Sequence, residues 1–552
     1  MKNIYRKIIA VLAVVITVMS LSLGTVNATS STDKAELKVT GLTGNPTVKL
    51  FKVAAAKYND TGDSFIDWTF ANNVKFADLQ KPTSQEINKI ANDIRTSTVT
   101  PLATYDMSVS GDTASYSAEA GIYIALVTSG DDRTYNPILL TASYNGEGVL
   151  STDPILTTDT YLYGQESVAK SSKPTIDKKV TNAVKDDEKN TASIGKVLNY
   201  TIDVALPQYP ENANNKTIWV GDNMSKGLTF DYSSLIVSWN GKEGKPDSSG
   251  NITIDGVIIA KVKKETNGFN MVFNYDNLKA LNVDPNSKVK ISYNGVVNSE
   301  AVVGQSGNNN TATYIYANDP TKGTTHNTTD KPSGEGLKEI NDKENIYTYE
   351  VAFKKTGENN SPLAGAVFGI YSDAEATKLI DVVTTNANGY ASSSQVGKGT
   401  YYIKEITAPK GYTLNTKVYP IETSWATSTT KNSVTSNKTV YTSNLNEAKE
   451  KKQVGWLTTD GTFLDLNTPE KERNGAVAAY VKTTTSTTAT DSSFSKNTGE
   501  GSGTSLLGES IPNTKLSKLP STGSIGTYIF TLCGFVLMVS AILFSRHKKQ
   551  KN

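Results

Sequence analysis

Apolar and polar residues alternate through much of this chain. In Lys196 to Val204 (KVLNYTIDV), Ile252 to Ile259 (ITIDGVII) and Val289 to Tyr293 (VKISY) the apolar side chains fall largely at every second position. A period of two places them on one face of a strand, so each segment reads as half of an antiparallel sheet with one face in a core. Gly121 to Val127 (GIYIALV) and Tyr135 to Leu140 (YNPILL) are more continuously apolar strands, and Gly, Asn and Asp turns separate such runs. Helical periodicity is sparse, and its best stretch predicts a helix over Ser84 to Arg95. The expected fold is all-β, three immunoglobulin-like β-sandwiches in tandem.

Two apolar runs break the alternation, one near each end. Lys2, Arg6 and Lys7 precede an apolar stretch from Ile8 to Leu23, and Val26-Asn27-Ala28 has small residues at signal-peptidase spacing. Residues 1–28 are therefore expected to be a signal peptide. Near the other end, Tyr528 to Phe544 is just long enough to span a bilayer. The basic tail Arg546-His547-Lys548-Lys549-Gln550-Lys551 holds that end in the cytoplasm. Leu519, Pro520, Ser521, Thr522 and Gly523 are then presented outside the membrane.

Between the ends, residues 29–168 form a first β-rich domain, and 169–335 a middle sandwich followed by a polar linker over 321–344. Residues 336–518 form a third domain with a long insertion at about 425–505, and 519–552 the C-terminal signal. Within the insertion, Val454 to Leu457 and Phe463 to Leu466 read as strands. The run from Lys482 to Ser493 is low-complexity and reads as a flexible or partly ordered excursion.

Composition removes several kinds of chemistry. The single cysteine, Cys533, lies in the C-terminal apolar run, and loss of His547 leaves His326 as the one histidine of the mature chain. Disulfides, cysteine or histidine nucleophilic schemes and histidine-rich zinc sites are thereby disfavoured. Neither a cofactor nor a metal is expected. A net charge of +2 over 552 residues gives no footprint for nucleic acid.

The order of Leu519 to Gly523, apolar span and basic tail resembles the cell-wall sorting signal of Gram-positive surface proteins. In that family a sortase cuts between the residues equivalent to Thr522 and Gly523 and passes the Thr acyl group to an amine. The third domain, with YEVAFKKT at Tyr349 to Thr356 and GTYYIKEITAPKGY at Gly399 to Tyr412, resembles the B-type domain of collagen adhesins and sortase-assembled pilins. The resemblance implies an intramolecular isopeptide bond between a first-strand lysine and Asn513, assisted by Glu405. Strand period selects the lysine: Tyr349, Val351 and Phe353 share a face with Lys355, while Lys354 points to water. A lysine on an apolar face loses its charge readily, and a buried carboxyl gains a proton. A neutral amine can then attack a polarised carboxamide and expel ammonia.

The middle domain carries a weaker version. Lys178 shares a face with Ile176 and Val180, and Lys179 points outward. Tyr314 to Pro320 (YIYANDP) resembles the closing strand of pilin middle domains, implying Asn318. Trp219 to Leu228 (WVGDNMSKGL) resembles the strand that supplies the acid, implying Asp222, with Asp203 as alternative. The first domain offers no such set.

Polymerisation of such subunits needs a lysine to accept the Thr522 acyl group. The Tyr-Pro-Lys-Asn sequence often found in the family is absent; Tyr209 to Asn212 reads YPEN. Position between the first two domains nominates Lys170, then Lys173. Together these resemblances identify the chain as similar to backbone (major) pilins, the T-antigen or fimbrial shaft type. What that implies is a non-enzymatic shaft subunit of a covalent, peptidoglycan-anchored fimbria at the cell surface, serving adhesion and biofilm formation. Implied partners are pilin-specific and housekeeping sortases, identical subunits, accessory pilins, peptidoglycan and host matrix. A monomeric wall-anchored adhesin and an accessory pilin are the alternatives.

Overall fold

The structure is a computed structural model that describes residues 29–128, 131–144, 161–210, 213–281, 287–304, 306–423, 429–431, 435–488, 494–496, 503–516 and 531–541. The chain divides into two compact units. One holds the described residues up to Asn190 with Lys196–Ala301 and Gly307–Ile346; the other holds Thr191–Gly195, Val302–Ser306 and the described residues from Tyr347 onward.

In the first unit, β1 (Lys34–Thr40) buries Ala35, Leu37 and Val39 and turns Lys34, Glu36 and Lys38 outward or to the margin. A second sheet runs β5 (Ile138–Ser143), β4 (Gly121–Thr128), β2 (Thr47–Tyr58), while β1 pairs with β3 (Thr113–Glu119). β4 is buried on both faces, which explains its unbroken apolar sequence. Helix α1 (Ser84–Arg95) spans the predicted residues. Thr83 and Glu86 close a reciprocal capping box at its start, and Ile90, Ala91 and Ile94 enter the core.

The same unit continues into a two-sheet sandwich. One sheet runs β6 (Thr175–Val180), β7 (Val197–Ala205), β11 (Lys288–Val297), β9 (Leu228–Trp239). The other includes, in order, β13 (Leu337–Tyr347), β12 (Asn308–Ala317), β8 (Ile218–Met224), β10 (Gly268–Phe273). β13 corrects the expectation of a linker over 321–344. Its sequence, LKEINDKENIY, lacks a period-two apolar face, yet Leu337–Ile346 pairs residue for residue with Ala317–Asn308. Backbone hydrogen bonds, rather than an apolar stripe, hold it in place.

In the second unit β14 (Glu350–Thr356) is the hub of one sheet. A second sheet runs β16 (Leu379–Thr384), β15 (Val367–Tyr371), β17 (Thr400–Thr407), β18 (Val418–Glu422). Tyr349, Val351, Phe353, Phe368, Ile370, Ile403 and Ile511 form the core between them. The insertion adds a four-stranded sheet, in which β19 (Thr435–Thr442) pairs with β22 (Val477–Thr488), then β20 (Gly455–Leu457) and β21 (Phe463–Asp465). The Thr-rich start of the low-complexity run, Lys482 to Thr488, is thus strand. Val454 and Val481 anchor this sheet on Tyr371, Leu379 and Val382. The chain closes with β23 (Thr504–Leu506) and β24 (Ile511–Pro512), both parallel to β14.

Candidate functional site

Two clusters place a lysine, a carboxyl and an asparagine together in a core. In the second unit Lys355 opposes Ile511 across the parallel β14–β24 pair, and the Asn513 amide donates to the Thr356 carbonyl at 2.9 Å. This pairing returns the far end of the insertion to the first strand. Glu405 comes from β17, where it opposes Phe368. Lys355, Glu405 and Asn513 are 0, 3 and 4% exposed. Lys355 Nζ donates to Asn513 Oδ1 at 2.5 Å and to the Ile511 carbonyl at 3.1 Å, and lies 3.6 Å from Glu405 Oε1. Asn513 Nδ2 donates to that same carboxyl oxygen at 2.9 Å, and the Asn415 amide donates to the other at 2.7 Å. Burial pushes the Lys355 amine down to about 8, against the opposing pull of Glu405. Roughly a tenth of the amine is therefore neutral at pH 7.

In the first unit Lys178 enters the sandwich from β6, opposite Ile202 of β7. Asp222 stands on β8 opposite Ala312, and two residues along the same ladder Asn310 opposes Met224. Period two puts Asp222 and Asn310 on one face. Lys178 Nζ donates to Asp222 Oδ2 and to the Tyr293 hydroxyl, to which Asn310 Nδ2 also donates at 3.0 Å. Tyr200 and Tyr293, paired across β7 and β11, stack with centroids 5.6 Å apart. Lys178 Nζ lies 5.3 and 5.1 Å from their ring centres. Burial raises the Asp222 carboxyl and lowers the Lys178 amine, in each case opposed by the partner's charge.

Asn318 is not part of this cluster, a correction to the sequence reading. It follows the end of β12 beyond Tyr316, which opposes Ile218 at the far end of β8. At ~3.4 Å per residue it is about 27 Å along the strand from Asn310. Asn310 stands in its place, fully buried. Both asparagines lie in phase with Tyr314, so only the register against Asp222 separates them. Asp203 pairs with Asp177, one position out of phase with the buried Lys178, and so lies on the other face. Tyr293 was named only as part of an alternating strand; nothing local to VKISY marks its hydroxyl.

Lys170 and Lys173 are both exposed, flanking a short strand at Ser171–Ser172 that pairs with Thr134–Tyr135. Asn136 donates to the Lys170 carbonyl at 3.0 Å. Leu519 to Gly523 and residues 1–28 lie outside the described residues. Residues 531–541 are helical with exposed apolar side chains, and no helix among the described residues is long and apolar enough to cross a membrane. Among the described residues no group of His, Cys, Asp and Glu is arranged to hold a metal ion.

Comparison with known proteins gives three family matches. Residues 32–171 match the T6 antigen Ig like domain, 349–439 a prealbumin-like fold domain and 511–552 the LPXTG cell wall anchor motif. The trypsin-resistant surface T6 protein of Streptococcus pyogenes serotype M6 is 47% identical over 543 residues, covering 97% of this chain and 99% of the relative. A solved structure of the T6 backbone pilin of serotype M6 Streptococcus pyogenes, described as modular and three-domain with variable loops and extensions, is 45% identical. It covers 89% of this chain and all of its own, with a TM-score of 0.79.

Proposed function

The chain belongs to the family of T6 backbone pilins, and from that premise we propose how its residues build and brace a fibre. As a backbone pilin it is a structural subunit anchored to the cell wall through an LPXTG-type signal, here Leu519-Pro520-Ser521-Thr522-Gly523. A sortase cleaves after Thr522 and transfers its acyl group to Lys170, or else Lys173, of the next copy. A head-to-tail bond of this kind does not close and so propagates as a filament. A housekeeping sortase transfers the finished fibre to peptidoglycan; accessory pilins and host matrix are its further partners.

Each of the two clusters matures into an isopeptide bond, Lys355 to Asn513 with Glu405 and Lys178 to Asn310 with Asp222. The neutral Nζ attacks the carboxamide carbon while the neighbouring carboxyl assists the proton transfers; the Cγ–Nδ2 bond breaks and ammonia leaves. Each reaction happens once per molecule, so this is maturation without turnover. The observation that carries the reading is the approach of Lys355 Nζ to the Asn513 carboxamide, with Glu405 bonded to the nitrogen that must depart.

An immunoblot of SDS-boiled wall extracts tests the polymer. Wild type is expected to give a high-mass ladder that collapses to monomer in Lys170→Ala or, failing that, Lys173→Ala cells. A wild-type monomer band alone would refute the shaft assignment.

A further inference from the structure

The two crosslinking clusters differ in that a tyrosine hydroxyl joins the acid between the attacking and departing nitrogens of the first unit. In the second unit Glu405 Oε1 bridges the two nitrogens directly, 3.6 Å from Lys355 Nζ and 2.9 Å from Asn513 Nδ2. In the first unit the acid is an aspartate, one methylene shorter, and the Tyr293 hydroxyl touches both Lys178 Nζ and Asn310 Nδ2. Asp222 lies within hydrogen-bonding reach of the same hydroxyl and of Asn310. Tyr293 is buried on the sheet opposite Asp222 and Asn310, and its stacking on Tyr200 fixes the ring.

We propose that Tyr293 is a catalytic residue of the Lys178–Asn310 crosslink, its hydroxyl relaying a proton from Lys178 Nζ to Asn310 Nδ2. The proposal rests on the isopeptide reading of this cluster. The proton balance is closed. The buried ion pair first redistributes one proton, giving Lys178 as a neutral amine and Asp222 as a carboxylic acid. Nζ then bonds to Asn310 Cγ. In the tetrahedral intermediate Nδ2 loses its amide resonance and becomes a basic amine, so it changes from hydrogen-bond donor to acceptor. Tyr293 gives its hydroxyl proton to Nδ2 and takes one from Nζ; the Cγ–Nδ2 bond breaks and ammonia departs, Tyr293 ends as it began, and Asp222 keeps the proton it received from Lys178.

Two orphaned atoms agree with this scheme. Asp222 Oδ1 and Asn310 Oδ1 are buried acceptors to which no described residue donates. Two unpaired acceptors in one core are costly. One proton on Asp222 turns an acceptor into a donor, which leaves Asp222 for the carbonyl oxygen and Tyr293 for the nitrogens.

The test is a pulse-labelling experiment on the full chain in cells, quenched in denaturant at intervals and digested. Mass spectrometry then quantifies the branched Lys178–Asn310 and Lys355–Asn513 peptides. Tyr293→Phe is expected to slow the first bond by about 100-fold or more, the usual contribution of a positioned acid–base group, and to leave the second unchanged. Tyr200→Phe, which removes a hydroxyl with no hydrogen-bond partner among the described residues but keeps the stack, should leave both unchanged. Equal rates in wild type and Tyr293→Phe would overturn the relay while the crosslink reading stands. Absence of the Lys178–Asn310 peptide in wild type would overturn the reading and the relay with it. If trypsin cuts Tyr293→Phe within 179–309, showing that the domain has not folded, a ring-fluorinated tyrosine at 293 decides. A changed rate supports proton transfer, and an unchanged rate overturns it.

Discussion

Replacing Lys355 with Met removes one proposed crosslink and leaves Glu405 without its 3.6 Å lysine neighbour. The methionine keeps an unbranched stem of similar length in the pocket, and Glu405 retains its bonds from Asn513 Nδ2 and the Asn415 amide. The isopeptide bond would close a span of 158 residues. Treated as a disulfide-like constraint on the unfolded chain, such a loop contributes about 5 kcal/mol at 25 °C. Melting entropy of ~2.1 cal/mol/K per residue over that span is about 0.33 kcal/mol/K, so the transition should fall by about 15 °C. The Ile511 carbonyl, which loses its Lys355 donor, adds about 1 kcal/mol in the same direction. Differential scanning calorimetry of the secreted chain reads the shift, with the remaining transitions as internal reference. Intact mass should show the variant retaining one ammonia that wild type has lost. An unmoved transition, or no difference in ammonia loss, would refute the claim that Lys355 is covalently joined in the mature protein.

Three further outcomes follow from the same geometry. Asn513→Ala traps Lys355 as a free amine held near 8, below its ordinary 10.5. The unfolded chain then binds more protons between those values, so stability rises with pH across this window. Below pH 8 the deficit is about 3 kcal/mol; denaturant midpoints at pH 7.5 and 10 measure it, and a flat profile would contradict the assigned burial. Gly268→Ala would place a Cβ 1.9 Å from the Asp222 carbonyl oxygen, so β8 must shift. Peptide mapping should find the Lys178–Asn310 bond depleted and Lys355–Asn513 intact, and equal yields would count against a need for fixed strand geometry. Stretched singly, Lys355→Met should release a length that wild type never does, roughly 550 Å for its 158-residue span at ~3.3–3.6 Å per residue; equal extension of the two would argue against the bond.

Strand period alone was enough to place Lys178 and Lys355 inward and Lys179 outward, because the face of a side chain is local information. The helix at Ser84–Arg95 was legible for the same reason, its capping box and apolar spacing being contiguous. The choice between Asn310 and Asn318 was not local. Both share a face, and only the pairing of β12 with β8, strands far apart in sequence, decides which meets Asp222. Tyr293 is harder still, since its hydroxyl matters only once three other strands converge on it. β13 and the Thr-rich half of β22 escaped notice because backbone pairing, which sequence does not display, outweighs their polar composition.

The positions of the bonded residues decide which backbone would carry tension along a fibre. In the second unit β14 is the first strand of its sheets, and β24 runs parallel beside it as the last. With the proposed bond in place, load entering before Tyr349 would reach Lys355, cross to Asn513 and leave toward Thr522, so residues 356–512 would lie outside the path. A parallel pair pulled from opposite ends is sheared, and its hydrogen bonds would otherwise be the weakest element in line. The proposed crosslink would replace that shear plane with an amide bond. In the first unit a path from Lys178 to Asn310 would likewise bypass residues 179–309 and then leave through β13, which buries Ile346 and packs Leu337 on Trp219, Val272 and Ile315. The inserted sheet of β19 to β22 lies within 356–512, and so do Tyr371, Leu379 and Val382, on which Val454 and Val481 pack. It can therefore vary in length and sequence without lengthening or weakening the loaded backbone, a freedom that an uncrosslinked sandwich of the same fold would lack.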